Sequence, residues 1–174
     1  KRRTFLTGSL ASMALTVAPL VTHAEGKDKF DWSKTYDVIV VGSGGAGLSA
    51  AVAAAQNKAS TVVIEKMDII GGNTRITGGA FNAVDPVEQE KKGIKDSVEL
   101  HAEQTLKAGD YRGNPELVKE FTKRAPEALQ WLKDCGVVFL PGVYQVYGGL
   151  HPRAHSSNKP FGLGYIEALE NKCK

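Results

Sequence analysis

Three glycines at a fixed spacing, Gly42, Gly44 and Gly47 in "VGSGGAGLSA", precede a carboxylate, Glu65, at the end of the next apolar run, "STVVIEK". In a G-x-G-x-x-G turn the first glycine permits a tight reversal and the second lets a pyrophosphate approach the backbone. The third lets a helix lie close against a strand. A carboxylate at the position of Glu65 accepts hydrogen bonds from adenosine ribose hydroxyls and repels a 2′-phosphate. The chemistry offered is the holding of a dinucleotide. Glycine-rich turns also arise for backbone reasons alone, so the flanking elements decide.

Those elements have the expected order. "YDVIVVG" (36–42) is a short β-branched run, the pattern of a buried parallel strand. "AGLSAAVAAAQN" (46–57) is alanine-rich and predicts a helix, and "STVVIEK" (60–66) predicts a second buried strand. The glycine turn therefore lies between strand and helix, where phosphates meet free N–H groups and the positive end of the helix dipole. The fold class is α/β: a Rossmann-like domain whose parallel sheet begins with this βαβ unit. Asn57 and Lys58 occupy the turn before the second strand, and Asn57 is expected to take the left-handed conformation there, at roughly 1–2 kcal/mol for a non-glycine residue.

A second glycine-rich segment follows Glu65 and Lys66. Two Gly-Gly pairs, 71–72 and 78–79, bracket Asn73, Thr74 and Thr77, so backbone and small polar groups can approach a flat ligand. Taken together, the G-x-G-x-x-G, Glu-Lys and Gly-Gly-Asn-Thr elements resemble the fumarate reductase/succinate dehydrogenase flavoproteins. The resemblance is greatest to the soluble, exported members of flavocytochrome c type, and it runs from Tyr36 to about Leu169. It implies an FAD-binding domain in which Gly42, Ser43, Gly44, Ala46 and Gly47 contact the pyrophosphate. Glu65 and Lys66 would meet the adenosine end, and Gly72, Asn73, Thr74, Thr77, Gly78 and Gly79 the phosphates and flavin ring. Membrane-bound members attach FAD through a histidine in this loop. No histidine lies between Glu65 and Val84, so the resemblance implies noncovalent FAD.

The resemblance further implies an FAD-dependent oxidoreductase that transfers a hydride from reduced flavin to the C=C bond of a fumarate-like 2-enoate. A separate cytochrome c-type protein would donate the electrons. The arginines and histidines that grip the acid in such enzymes belong to segments expected beyond residue 174, so no catalytic residue is assigned and 36–174 is read as the N-terminal part of the domain. Two alternatives stay open: a catalytically silent nucleotide-binding fragment or subunit, and a related FAD dehydrogenase of ketosteroid or aspartate oxidase type.

Charge and composition narrow the partners. Lys1, Arg2 and Arg3 supply the whole net charge of +3; without them basic and acidic side chains balance at 19 each, which argues against nucleic acid. Residues 1–24 combine a basic start with a moderately apolar stretch that Gly8 and Pro19 interrupt, the layout of an export signal rather than a permanent membrane span. Arg2 and Arg3 before Phe5 and Leu6 resemble a twin-arginine signal, so the expected location is the periplasm. A polar linker is expected over 25–35. Cys135 and Cys173 form no ligand-spacing motif and are expected as thiols, and no metal set is predicted.

Farther along, Asp96 or Ser97 is expected to cap a helix that Gly109 ends, with His101 exposed or capping. Asn114 and Pro115 open another helix showing Leu117, Val118 and Phe121 to one side, and Pro126 restarts it. Leu129, Leu132 and Cys135 continue an apolar stripe, Gly136 ends it, "VVFL" (137–140) predicts a short strand and "GYIEALENKCK" a helix. Tyr144, Tyr147, His151, Arg153 and His155 cluster in a loop, with a role near flavin or substrate and simple solvation equally open.

Overall fold

β-branched residues make the first two strands, β1 (Val38–Val41) and β2 (Thr61–Ile64), which pair in parallel from Val38↔Thr61 to Val41↔Ile64. The computed structural model describes residues 33–174, so the expected leader and most of the linker lie outside the described residues. Helix α1 (Gly45–Gln56) connects the two strands and buries Leu48, Ala51 and Val52. Its end corrects one expectation: Asn57 stays at φ −88° as the C-cap and Lys58 takes the left-handed conformation at φ 65°. The reason is a Schellman closure, in which the Lys58 N–H bonds to the Ala55 carbonyl and the Ala59 N–H to that of Ala54. That geometry assigns the left-handed position to the residue after the cap.

After a 3₁₀ turn (Gly72–Ile76), β3 (Ala80–Asn82) pairs antiparallel with β4 (Ala154–Ser156), with Phe81 opposite His155. Three helices intervene: α2 (Pro86–Glu90), α3 (Val98–Ala108) and α4 (Pro115–Asp134). The Ser97 hydroxyl caps α3 by accepting the Leu100 N–H, and Asn114 caps α4 by accepting those of Glu116 and Leu117. Helix α5 (Leu163–Cys173) completes the described chain.

Two sequence expectations fail in this part. Helix α4 passes through Pro126 without a restart. A proline in a helix interior costs about 3 kcal/mol, and here burial of Thr122, Ala125, Leu129 and Leu132 on both sides of it offsets that cost. Leu117 and Phe121 are exposed, so the apolar stripe of α4 is buried only from Thr122 onward. Residues 137–140 form no strand. They run beside β4 through one bridge, Phe139↔Ser157, with the Leu140 N–H bonded to the Ser156 carbonyl.

The main core joins α1 (Leu48, Val52), the end of α4 (Leu132, Cys135) and α5 (Tyr165, Ile166, Leu169). Ile166 and Leu169 are essentially inaccessible, each worth about 1.5–3 kcal/mol by burial. Cys135 and Cys173 are free thiols.

Candidate functional site

The turn between β1 and α1 is shaped by two glycines for internal reasons and by one for none. Gly42 sits at φ 98°, which other residues rarely adopt. A Cβ on Gly47 would fall on the Gly42 carbonyl oxygen, so helix and strand can lie this close only if that residue is glycine. Gly44 differs. Its φ is −67°, and a Cβ there would meet nothing nearer than the Gly71 carbonyl oxygen at 3.9 Å. No protein atom requires a glycine at position 44, since a Cβ there would make only one ordinary contact.

Gly44 caps α1 without any side-chain hydrogen bond. Of the first amides of the helix, that of Gly45 donates to Thr74 Oγ1 at 3.0 Å, and that of Leu48 to the Gly44 carbonyl. The amides of Ala46 and Gly47 have no partner among the described residues. An uncapped helix start with free N–H groups beside a bare glycine suits a phosphate.

The second glycine segment lies directly against this turn. Gly72, at φ 48°, faces Gly44: a Cβ on Gly72 would lie 3.6 Å from the Gly44 Cα. The fold thus brings together two segments that the chain separates. Asn73, Thr77 and Gly78 are exposed around them, and Thr74 is half-buried through its bond to Gly45. Gly79 is buried at φ 75°, where a Cβ would strike the Phe161 carbonyl. Thr74, Thr77 and Gly79 line a cleft of about 250 Å³ with Gly45, Ser49 and Tyr165.

Ser43 and Glu65 are arranged for the frame of the site. Ser43 is 1% exposed; its hydroxyl donates to Glu65 Oε2 and accepts the Gly71 N–H at 3.0 Å. Glu65 Oε2 also accepts the Ser43 N–H, and Oε1 those of Lys66 and Met67. The Ser43 hydroxyl and these amide donors bring the Glu65 carboxyl down to about 2. Glu65 therefore ties the glycine turn to the end of β2. Each Glu65 oxygen thus accepts two hydrogen bonds, so a further donor would reach Oε2 by displacing one of them, such as the Ser43 hydroxyl. Lys66 is exposed beside it.

Supporting residues came out differently from their sequence reading. His101, expected exposed or capping, is 4% exposed on α3. Burial, with Arg153 nearby, brings it down to about 4. Arg153 and His155, read by sequence as part of a loop with a role near flavin or simple solvation equally open, are buried supports of the β3–β4 ribbon. Arg153 pairs with both oxygens of Asp96 at 2.6 and 2.8 Å, and the His155 ring sits between the Phe81 carbonyl and Asp85. Sequence reasoning missed Tyr165, whose hydroxyl donates to the buried Gly79 carbonyl at 2.7 Å. An aromatic on an apolar helix face gives no signal that its hydroxyl reaches a loop. Among the described residues, no group of three or more His, Cys, Asp or Glu side chains is placed to hold a metal.

Residues 37–163 match the family described as FAD binding domain. The chain belongs to that family. FAD is therefore the cofactor of the family to which this chain belongs. The acrylate reductase flavoprotein subunit of Shewanella woodyi is 34% identical over 175 residues, 99% of this chain and 35% of that protein. A fumarate reductase (cytochrome) of Shewanella frigidimarina is 39% identical over 130 residues, 75% of this chain and 23% of the relative. Among solved structures, the open conformation of a flavocytochrome c3 fumarate reductase superposes with a TM-score of 0.74 at 30% identity, covering 80% of this chain and 25% of that one. The chain spans about a third or less of the length of these relatives.

Proposed function

We propose that this chain is the cofactor-binding part of an FAD-dependent oxidoreductase that reduces the C=C bond of a fumarate-like 2-enoate. The carrying observation is the cradle itself: Gly44 and Gly72 backbone to backbone with no side chain between them, beside the unpartnered amides of Ala46 and Gly47. FAD bound there would supply hydride-transfer chemistry toward a double bond next to a carboxylate. The residues described here bind and orient. The amides at the start of α1 hold the pyrophosphate, Glu65 and Lys66 meet the adenosine end, and Gly72, Asn73, Thr74, Thr77, Gly78 and Gly79 lie along the phosphates and ring. No histidine occurs in this segment, so FAD is held without a covalent bond.

The likeness to fumarate and acrylate reductases supports a small dicarboxylate or other 2-enoate as substrate and a separate cytochrome c-type donor. Among the described residues, no helix is long and apolar enough to cross a membrane. Arg2 and Arg3 before Phe5 and Leu6 support export to the periplasm by the twin-arginine route. Changing both arginines to lysine should retain the protein uncleaved in the cytoplasm, and unaltered export would remove that route.

The test of the main reading uses the full-length protein. It should be yellow and release FAD on acid denaturation; flavin left on the denatured polypeptide would show a covalent bond. After anaerobic reduction, fumarate or acrylate should restore the oxidised flavin absorbance. A reduced protein that no 2-enoate reoxidises would sink the reductase reading while leaving FAD binding intact.

A further inference from the structure

The G-x-G-x-x-G spacing accounts for Gly42, Gly44 and Gly47 and leaves Gly45, at one of its free positions, unexplained. Thr74 supplies the reason. A Cβ on Gly45 would lie 3.0 Å from Thr74 Oγ1 and 3.2 Å from its Cγ2, tighter than such atoms normally pack. Glycine at this position lets the threonine come close enough to accept the Gly45 N–H at 3.0 Å. Thr74 is approached as closely from its other side. A Cβ on Gly162, at the start of α5, would fall on the Thr74 carbonyl oxygen, which already accepts the Thr77 hydroxyl at 3.0 Å. Two glycines far apart in sequence thus make room for one residue.

The Thr74 bond has a counterpart. The Gly71 N–H donates to the Ser43 hydroxyl at 3.0 Å, so each glycine segment gives an amide to a hydroxyl of the other. Gly44 and Gly72 lie between these bonds along the two segments, backbone to backbone. A threonine from a different segment thereby provides the side-chain cap that Gly44 cannot. It takes up the Gly45 amide and leaves those of Ala46 and Gly47, which have no partner among the described residues. Threonine is branched at Cβ and stiff at χ1, so its bond holds the segments at one separation.

We propose that Thr74 is a positioning residue for FAD: its hydroxyl caps α1 from another segment and, with Ser43, sets the gap between the two glycine segments before the cofactor arrives. It acts through the Gly45 amide and not as a ligand. A gap fixed in the apoprotein removes an ordering cost from binding. This role rests on the flavin reading and adds to it the bonds that shape the cradle.

The test uses the full-length protein stripped of FAD. Hydrogen exchange at the Gly45 amide should be slow in the original apoprotein and in Thr74→Ser, which keeps the hydroxyl, and fast in Thr74→Val. On titration with FAD, Thr74→Val should raise the dissociation constant about fivefold, the effect of one neutral hydrogen bond, and Thr74→Ser should restore the original affinity. Gly45→Ala crowds the same bond from the helix side and should weaken binding likewise, which serves if valine unsettles the 3₁₀ turn. Equal FAD affinity in all variants would make Thr74 a scaffold residue only and overturn the role. Weaker binding by Thr74→Val with a Gly45 amide that exchanges no faster would overturn it too, because the hydroxyl would then act on FAD directly. An original protein that takes up no FAD would sink the flavin reading, and this role with it.

Discussion

The glycine turn and the polar cluster under the β3–β4 ribbon solve opposite problems. Around Asp96 every acceptor site is used: Arg153 donates twice, Gln89 once at 2.7 Å, and the Ser97 amide once at 2.9 Å. Burial alone would raise the Asp96 carboxyl, but these donors outweigh it and hold the group below the usual carboxylate range. Around Gly44 the backbone is left bare, with amides unspent and no side chain in the space. Saturated polar groups hold the scaffold, and the unsaturated ones are those that the proposed FAD contact would satisfy. Substitutions in the first region should therefore damage the apoprotein, and those in the second only its response to FAD.

The sharpest break is Asp96→Ala. It strands the Arg153 guanidinium, whose side chain is 6% exposed, without a counter-charge. Removing one partner of a buried pair typically costs 3–5 kcal/mol, so the denaturation midpoint should collapse with or without FAD. A loss under about 1 kcal/mol would mean that the pair does not hold the ribbon.

Gly44→Val and Gly47→Ala sharpen the comparison within one turn. Gly44→Val should leave the apoprotein near its original stability and abolish the gain from FAD, about 4 kcal/mol at a thousandfold excess over the dissociation constant. Gly47→Ala should instead destabilise the apoprotein, because its Cβ meets the Gly42 carbonyl oxygen. Thermal melts of each apoprotein with and without FAD separate the two. Stoichiometric FAD binding by Gly44→Val would put the ligand against a different turn.

Tyr165→Phe tests the seam between the regions, since it removes the only side-chain donor found for the buried Gly79 carbonyl among the described residues. An unsatisfied buried acceptor costs about 1–3 kcal/mol. The loss should be the same with and without FAD if the hydroxyl serves the scaffold alone. A larger loss in the FAD-bound protein would show that the position of Gly79 matters to the ligand.

How much of this was legible in sequence follows the same division. The βαβ unit and its glycine spacing were readable because local pattern sets them: β-branched runs, an alanine-rich helix and a turn whose backbone admits only small residues. The caps at Ser97 and Asn114 were readable for the same reason, each being a bond to a residue two or three positions away. The buried cluster was not. Asp96 and Arg153 meet only because β4 returns beside β3, and polar residues in a Gly- and Pro-bearing stretch look like a solvated loop until that pairing is known. His101 was misread likewise, as its burial is set by tertiary packing that no local pattern shows. Pro126 was read by its local cost, and tertiary burial along α4 overrode it.

The smallest expected effect concerns Glu65, which belongs to both regions: its carboxylate is saturated like that of Asp96, yet it borders the bare turn. Its folded pKa, about 2, lies below the ordinary value of 4.5. Between those values the unfolded chain binds more protons than the folded one, so this stabilisation is complete above about pH 4.5 and is lost as pH falls toward about 2. The group is solvent-accessible enough for water and salt to screen it, which keeps the effect modest. Glu65→Gln should flatten the apoprotein's stability profile over that acid window and change little near neutrality. Isothermal denaturation of both proteins along a pH series measures it. Identical acid limbs would mean that the bonds from Ser43, Lys66 and Met67 are not kept in solution. Glu65 would then face the ribose without first exchanging the Ser43 hydroxyl, and the glycine turn would be bare on both sides.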